Sequence, residues 1–361
     1  MRISKRFDGG SLFAGANSAA GFVSFYETIL FDEEIERIYI LKGGPGTGKS
    51  RFMKDAALLA VERGFSVERY SCSSDPDSLD GVVIGGKIAI IDGTAPHAVD
   101  PSSPGARDEI INLGAFWDAD KLKEREVEIK VLQGLKGESY ARAYRYLLSH
   151  KSVQDINLSL ALPCFKEKKA MNSVDNIFRE IKKGGGYSLS VGMILSVGMK
   201  GRVRLDTYLQ LGERICLIED HVDIAYLVTH KLGEKAAERG LNVRISYHPI
   251  LPDRIDALLL EDSKTVFLVC EADQTERLRA AVPHSRVIRA RRLIEPSVMR
   301  QKREGIRQTF RLREALIGGA QDELGKVAKA HFELEKIYSA AMDFDAKERY
   351  TDALCERLFS R

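Results

Sequence analysis

The sequence predicts an α/β protein made of two tandem parallel-sheet units with appended helical hairpins. Three observations support this fold class: the chain length, an internal repeat, and short apolar runs that alternate with helical segments. At about 150 residues per domain, a chain of 361 residues is long enough for two domains. A content of 44% hydrophobic and 30% charged residues is ordinary for a globular protein and excludes a disordered or collagen-like chain.

An internal repeat relates the two halves of the chain. Residues 11–38 match residues 188–215 at an offset of 177, and residues 60–80 match 236–256 at an offset of 176. In the second block 8 of 21 positions are identical, where about one or two are expected by chance. We infer two copies of one α/β unit, residues 1–185 and 186–361.

The elements of the first unit follow from its apolar pattern. Residues 38–41 form a continuous apolar run, which is typical of a buried parallel strand. Residues 50–63 carry apolar side chains on one side and end at Gly64, as a helix with a glycine cap does. Residues 65–70 and 88–91 are predicted as the second and third strands. Alternating strands and helices predict a parallel sheet with right-handed crossovers.

Two charged helical regions are predicted to form the appended hairpins. In the first unit this region is residues 121–148. In the second unit, residues 300–316 and 321–342 are predicted to form the corresponding pair of helices.

Charge and cysteine content limit the function classes. The 55 Lys and Arg residues against 52 Asp and Glu leave a net charge of +3, which gives no global indication of nucleic-acid or membrane binding. The 5 cysteines form no C-x-x-C pair, so we expect free thiols. The chain shows no signal peptide and no apolar run of the roughly 20 residues that span a membrane. We therefore expect a cytoplasmic protein with no membrane partner.

A glycine-rich loop between the first strand and the first helix carries the clearest motif. Residues 43–50 match G-x-x-x-x-G-K-[ST] in full. Glycines let backbone N–H groups turn inward around phosphates, and the helix N-terminus adds partial positive charge. Lys49 would reach the β- and γ-phosphates, and Ser50 would bind Mg²⁺. The motif makes the predicted units P-loop NTPase-like, with Mg²⁺ and ATP held by Gly43, Gly44, Pro45, Gly46, Thr47, Gly48, Lys49, Ser50 and Arg51.

Two further residues complete the predicted catalytic set with Lys49. Asp92 ends the third predicted strand, at the position of a carboxylate that binds Mg²⁺ together with Ser50. The next residue is Gly93, where many P-loop ATPases carry a water-activating Glu, so we do not expect rapid hydrolysis. His97 follows at the carboxyl end of the strand, where α/β proteins bind ligands. It is a candidate to position water, sense the γ-phosphate or contact a second substrate, beside the alternative of a loop histidine without a role.

The corresponding loop of the second copy has lost the motif. Residues 220–227 contain neither glycine nor lysine. Asp220 and Asp223 add negative charge where a phosphate would sit, and Tyr226 falls opposite the lysine. We predict that the second unit is degenerate and does not bind ATP through this loop. An acidic helix start is favoured there, ahead of a metal site from His221 and Asp223.

A basic stretch lies between residues 286 and 313, with ten basic and two acidic residues. A solvated helix face is the simplest interpretation. A surface for nucleic acid or a phosphorylated ligand is a less favoured alternative, and an arginine that reaches the nucleotide of the first unit is another. The basic residues are Arg286, Arg289, Arg291, Arg292, Arg300, Lys302, Arg303, Arg307, Arg311 and Arg313.

Several segments outside the loop resemble an uncharacterised bacterial family of duplicated P-loop ATPase-like proteins. They are residues 75–80, 91–97, 108–114, 117–118 and 340–344. The resemblance covers most of the chain and implies an ATP-binding protein, an ATPase or a nucleotide kinase, with no substrate. Members of that family often keep the loop in both halves, and this sequence departs from that pattern.

Three functions are compatible with these residues. The first is a Mg-dependent ATP-binding protein that acts as a slow ATPase or an ATP-driven switch, with the second copy as a regulatory or homo-oligomer-forming unit. The second is a small-molecule or nucleotide kinase. The third is a non-hydrolysing nucleotide sensor or interaction protein. The sequence contains no recognisable acceptor motif, so we favour ATP binding with slow hydrolysis.

Overall fold

The computed structural model describes residues 10–27, 34–95, 98–220 and 222–359. In the first half of the chain, six strands form one sheet in the order β1-β5-β6-β7-β4-β8, and β2 pairs with β3 as a separate hairpin. The strands are β1 (Ser11–Phe13), β2 (Gly15–Ser18), β3 (Gly21–Ser24), β4 (Arg37–Lys42), β5 (Val67–Ser71), β6 (Leu79–Ile84), β7 (Ile88–Asp92) and β8 (Asp108–Asn112).

The second half repeats this topology strand for strand. Its sheet has the order β16-β12-β15-β14-β13-β9, and β10 pairs with β11. The strands are β9 (Ser188–Val191), β10 (Leu195–Gly198), β11 (Gly201–Arg204), β12 (Arg214–Asp220), β13 (Asn242–Tyr247), β14 (Ile255–Leu260), β15 (Thr265–Glu271) and β16 (Arg286–Arg289). The two halves are therefore tandem α/β units of the same design.

Both sheets are mixed, which corrects the prediction of purely parallel sheets. β6 runs antiparallel to β5 and β7, and β14 runs antiparallel to β13 and β15, while the remaining pairs are parallel. The link from β6 to β7 explains this arrangement, because residues 85–87 form a tight turn with Gly85 and Gly86 at φ of 59° and 72°. Such a turn joins antiparallel strands, whereas a parallel crossover needs a dozen or more residues.

Nine helices and three short 3-10 turns surround the sheets within the described residues. The helices are α1 (Lys49–Glu62), α2 (Ala119–Glu124), α3 (Glu126–Ala161), α4 (Glu167–Phe178), α5 (Thr207–Leu211), α6 (Ala225–Glu238), α7 (Ala272–Ala281), α8 (Pro296–Ala340) and α9 (Phe344–Leu358). Over the same ranges, no helix has both the length and the apolar character to cross a membrane.

The predicted hairpins within each unit are wrong. α3 and α8 are each one continuous helix, and they pack along one another, so the long helix of one copy is the partner of the other. Leu147 of α3 lies in one buried cluster with Ile317 and Leu324 of α8. Gly319 does not interrupt α8 but allows this close approach, since an added Cβ would lie 2.7 Å from the ring of Tyr146.

The two sheets pack face to face, with helices on their outer faces. Ile38 and Ile40 of β4 join the same buried cluster as Leu217 of β12. The alternate residues Tyr39 and Leu41 point to the other face, where they pack in a cluster with α1. Because both faces of each sheet are buried, the strands are apolar on both sides.

The helical layers are exchanged between the copies. α9, from the end of the chain, packs on the first unit, with Leu354 and Leu358 in the cluster that contains Phe52 of α1. α4 likewise packs on the second unit, with Val174 and Phe178 in the cluster of α6. The predicted boundary between residues 185 and 186 divides the two sequence repeats. It does not divide the packing, because α4 and α9 each pack on the unit of the other repeat.

A buried ion pair joins the two sheets. Arg244 Nη1 of β13 lies 2.6 Å from Glu68 Oε1 of β5, and Glu261 Oε1 lies 3.0 Å from Arg244 Nε. Residues 68 and 244 are equivalent at the repeat offset of 176. Equivalent residues of two related copies meet only near the axis that relates them, so the pair marks a pseudo-twofold axis between the units.

Candidate functional site

The glycine-rich loop of residues 43–48 connects β4 to the start of α1. Gly46 and Gly48 have φ of 72° and 82°, in the left-handed region that favours glycine. Helix α1 begins at Lys49, directly after Gly48, and it has no side-chain cap and no acidic residue in its first turn. The N-terminal N–H groups of a helix lack partners within the helix, so such a start is suited to an anion.

The structure brings Lys49 and Asp92 together at this loop. Lys49 Nζ donates hydrogen bonds to the carbonyl oxygens of Gly43 and Gly44, at 2.9 and 2.8 Å. It lies 3.6 Å from Asp92 Oδ2. Asp92 Oδ1 accepts hydrogen bonds from Thr94 N and Oγ1, at 2.9 and 2.6 Å. Burial raises the pKa of the Asp92 carboxyl, although the Lys49 ammonium and Thr94 act against this.

The remaining predicted site residues take different positions. Ser50 Oγ accepts a hydrogen bond from Leu79 N at 2.9 Å, which ties α1 to β6. Thr47 is buried, and its hydroxyl donates to the carbonyl of Gly44 at 2.9 Å. Arg51 is exposed and pairs with Asp55 one helical turn further on, at 2.9 Å. His97 lies outside the described residues.

The end of helix α8 covers the loop, which the sequence analysis missed. A Cβ added to Gly46 would lie 2.7 Å from the carbonyl oxygen of Glu335 and 2.5 Å from Ser339 Oγ. A Cβ on Gly44 would lie 3.3 Å from the ring of Tyr338. Glycine is therefore needed at residue 46 for the approach of a helix as well as for its φ angle. The first unit is completed at this loop by residues of the second copy.

A lysine of α9 also reaches the loop. Lys347 is only 3% exposed, and its Nζ lies 3.3 Å from the position that a Cβ on Gly48 would take. Among the described residues, its amino group makes no hydrogen bond or ion pair. Lys347 belongs to no recognisable motif and lies about 300 positions after the loop in the sequence. Its place beside the loop is therefore revealed only by the packing of α9 on the first unit.

In the second unit, a carboxylate occupies the start of the equivalent helix. Asp220 accepts hydrogen bonds from the backbone N–H groups of Val222, Ile224 and Ala225, at 3.1, 3.3 and 3.0 Å. Helix α6 begins at Ala225, so Ala225 rather than Tyr226 is equivalent to Lys49. The predicted match of Tyr226 with Lys49 is therefore wrong by one residue, because the deletion that changes the offset from 177 to 176 falls inside the loop. The first turn of this helix contains no acidic residue, and the Asp220 carboxylate precedes it and accepts from the N–H group of its first residue.

The second unit also borders a cavity of about 790 Å³, to which α3 of the first copy contributes His150 and Gln154. It lies at the carboxyl ends of β12 and β15, the usual ligand side of an α/β sheet. Buried polar residues line its interior, and arginines approach from several elements. The lining includes His150, Gln154, Arg204, His248, Arg254, Asp256 and Arg313.

His150 and Asp256 have strongly shifted pKa values. Burial lowers the pKa of His150 from 6.5 to about 4, and the charge of Arg313 acts in the same direction. Burial raises the pKa of Asp256 from 3.8 to about 6, against the charge of Arg204. Both shifts favour the neutral forms of these groups, as expected for polar side chains with little access to water.

Of the ten basic residues in the stretch 286–313, Arg313 is the one that lines this cavity. Arg313 forms an ion pair with Asp223 there. Arg289 lies 3.7 Å from Glu219 on the adjacent strand, and most of the other basic side chains are exposed. Arg313 is therefore directed at Asp223 of the second unit. A basic residue outside the stretch, Lys347, approaches the first-unit loop instead.

Comparison with protein-family models, curated proteins and solved structures finds no match for the chain. The family resemblance seen in the sequence therefore stays a prediction. Within the described ranges, no group of three or more His, Cys, Asp and Glu side chains is arranged to hold a metal ion. All five cysteines are free thiols, as expected.

Proposed function

We propose that the first unit binds ATP with Mg²⁺ at the glycine-rich loop and acts as a slow ATPase or ATP-driven switch. One observation carries the proposal: Lys49 and Asp92, 3.6 Å apart, meet at the start of α1, where no side chain caps the helix. The contrast with the second unit supports it, because Asp220 fills the equivalent helix start there. A helix start left open beside a lysine suits a phosphate group.

The proposal assigns roles to the loop backbone and to four side chains around it. The phosphates would accept hydrogen bonds from backbone N–H groups, and Lys49 would exchange its two carbonyl partners for phosphate oxygens. Ser50 and Asp92 would hold the magnesium ion, whose charge neutralises phosphate oxygens. The raised pKa of Asp92 fits this part, since a cation beside a buried carboxyl favours its charged form. Lys347 would add a second positive charge from α9.

The cover over the loop supports a switch rather than a fast motor. Glu335 and Ser339 of α8 contact the loop directly, and α8 packs along α3. A phosphate bound beside Gly46 would therefore act on the pair of long helices. Gly93 in place of a water-activating Glu is consistent with slow turnover.

Trp117 allows a direct binding test. It is the only tryptophan of the chain, and a Cβ on Gly44 would lie 3.3 Å from its ring. Titration of the full chain with Mg-ATP should therefore give a saturable change in tryptophan fluorescence. Lys49→Ala removes a charged donor to the phosphates and should weaken binding by about tenfold or more.

Lys54→Ala is the matched control. Lys54 lies on the same helix and is exposed, and its side chain donates to the carbonyl of Asp77 at 2.6 Å. Equal ATP affinity in the Lys49→Ala and Lys54→Ala proteins would refute the site. Turnover separates the remaining alternatives: phosphate release with ATP alone supports the ATPase, ATP consumption that requires an added metabolite supports a kinase, and binding without turnover supports a sensor.

A further inference from the structure

We propose that the cavity of the second unit binds a small organic oxyanion, a phosphate or carboxylate compound that also carries hydrogen-bond donors. The cavity of about 790 Å³ lies within the range of about 300–1,000 Å³ that is usual for small-molecule sites. Its position at the carboxyl ends of β12 and β15 corresponds to that of the nucleotide loop in the first unit. The proposal does not depend on ATP binding by that loop.

Unpaired polar atoms in the cavity provide the first argument. His150 Nδ1, Gln154 Oε1, Asp256 Oδ2 and Arg313 Nε are buried, and each lacks a hydrogen-bond partner among the described residues. His150, Gln154 and Asp256 are each at least nine-tenths buried. Folded proteins leave few buried polar atoms unpaired, because each such atom destabilises the fold. All four residues line this one cavity, so a ligand seated there would supply their partners.

Arginine donors, rather than an excess of positive charge, provide the second argument, because acidic residues of the lining outnumber its arginines. Arg204, Arg254 and Arg313 reach the cavity from β11, from the segment before β14 and from α8. Each of these arginines has a carboxylate neighbour: Asp223 pairs with Arg313, Asp155 lies 3.4 Å from Arg254, and Asp256 lies 3.9 Å from Arg204. Arginine suits an oxyanion because its planar group can donate two parallel hydrogen bonds.

His248 adds a donor of fixed orientation. Its Nδ1 accepts hydrogen bonds from the backbone N–H groups of Ile250 and Leu251, at 3.3 and 3.2 Å. A neutral imidazole that accepts at Nδ1 carries its proton on Nε2. Burial keeps His248 neutral by lowering its pKa, and the charges of Arg202, Arg254 and Arg313 strengthen this effect. Its Nε2–H is therefore available as a donor to an oxyanion in the cavity.

The acceptors define the rest of the ligand. Gln154 Oε1 and Asp256 Oδ2 need hydrogen-bond donors, which hydroxyl or amino groups of an organic molecule supply and a bare anion does not. A nucleotide phosphate at the helix start is disfavoured, because the Asp220 carboxylate accepts from the first N–H group of α6 and from two N–H groups of the preceding loop. The ligand class is thus a compact molecule with an oxyanion at one end and donors at the other.

Binding of three probes to the full-length Lys49→Ala protein tests this inference. In that variant, phosphate binding at the first-unit loop should be weakened. The probes are inorganic phosphate, ribose 5-phosphate and malate, measured by titration calorimetry and by the shift in melting temperature. We expect ribose 5-phosphate or malate to bind more tightly than inorganic phosphate, since only these two carry alcohol hydroxyl groups apart from the oxyanion. Which of them binds distinguishes a phosphate from a carboxylate source.

Matched variants decide where the probe binds. Arg313→Gln should weaken binding by about tenfold or more, whereas Arg311→Gln on the same helix, exposed and outside the cavity lining, should leave it unchanged. His150→Gln is a second test, should the loss of the Arg313 ion pair unfold the protein. The inference is overturned if neither organic probe binds at millimolar concentration, or if the Arg313→Gln and His150→Gln proteins bind as tightly as the Arg311→Gln control. It is also overturned if binding occurs in wild type and vanishes in Lys49→Ala.

Discussion

Single side chains distinguish the two equivalent helix starts. In the first unit the helix opens on Gly48 and Lys49 with no side-chain cap. In the second unit Asp220 accepts hydrogen bonds from the N–H group of the first helical residue, Ala225, and from two N–H groups just before it. A carboxylate placed there satisfies the same donors that a phosphate would use. The difference between the units therefore lies in a few residues on a shared backbone design.

Lys347 should contribute to nucleotide binding. Its side chain is buried, and its amino group lies against Gly48 and lacks an acidic partner among the described residues. Lys347→Gln should lower the affinity for Mg-ATP by about tenfold, the effect of one lost charge-assisted contact. Fluorescence of Trp117 reports the affinity. Arg349→Gln, an exposed change on the same helix, is the control, and equal affinities in the two variants would remove Lys347 from the site.

His150 should make the protein sensitive to acid. Its folded-state pKa of about 4 lies below its ordinary value of 6.5, so the unfolded chain binds the proton more readily. The contribution of the neutral imidazole is complete above pH 6.5 and is lost as the pH falls toward 4. A shift of this size corresponds to about 3 kcal/mol.

Denaturant unfolding at pH 7 and at pH 4.5 measures this effect. The wild type should lose about 2–3 kcal/mol more than His150→Gln between the two values. Asp256 acts in the opposite sense, since its raised pKa of about 6 favours the folded state as it becomes protonated. Because Asp256 is present in both proteins, its effect cancels when the wild type is compared with His150→Gln. Equal losses in the two proteins would contradict the account of His150.

At the residue scale, motif and charge predicted part of the site. The loop, Lys49 and Asp92 were found because their pattern is local in sequence, and the structure places them together. Lys347 and the cavity of the second unit were not found. Their residues come from elements far apart in the chain, and burial alone distinguishes His150 from a solvated histidine.

At the element scale, the exchanged helices complete the layers of both units. Leu354 of α9 is buried in the cluster around Phe52 of α1. Leu354→Ala should therefore destabilise the protein by about 2–5 kcal/mol, the usual effect of a core leucine truncation. Equilibrium unfolding measures it. Leu312→Ala, at a half-exposed position of α8, should change stability by no more than about 0.5 kcal/mol, and a similarly small effect at Leu354 would contradict the packing of α9.

The elements themselves were predicted unevenly. Apolar runs and a glycine stop predict helix α1 and strands β4, β5 and β7, and all four elements are present. The antiparallel β6 was missed because a short turn replaced the expected crossover helix. The long helices were divided into hairpins because periodicity shows that a segment is helical without showing which helix it pairs with. Only the contact between α3 and α8 settles the pairing.

At the scale of the whole molecule, each unit depends on the other. α4 and α9 cross between the copies, and the buried pair of Glu68 and Arg244 joins the sheets. Residues 1–185 and 186–361 made as separate chains should therefore fold poorly alone. When produced together, they should form a one-to-one complex, as measured by co-purification and circular dichroism. Two halves that each fold stably alone would contradict the exchange of layers.

The asymmetry between the two units is the central claim, and the stoichiometry of ATP binding tests it most directly. Titration calorimetry of the full chain with Mg-ATP should give one site per chain in the wild type. Because Lys49 and the open start of α1 occur in the first unit alone, Lys49→Ala should remove that site. Two sites per chain, or one site that persists unchanged in Lys49→Ala, would contradict the account.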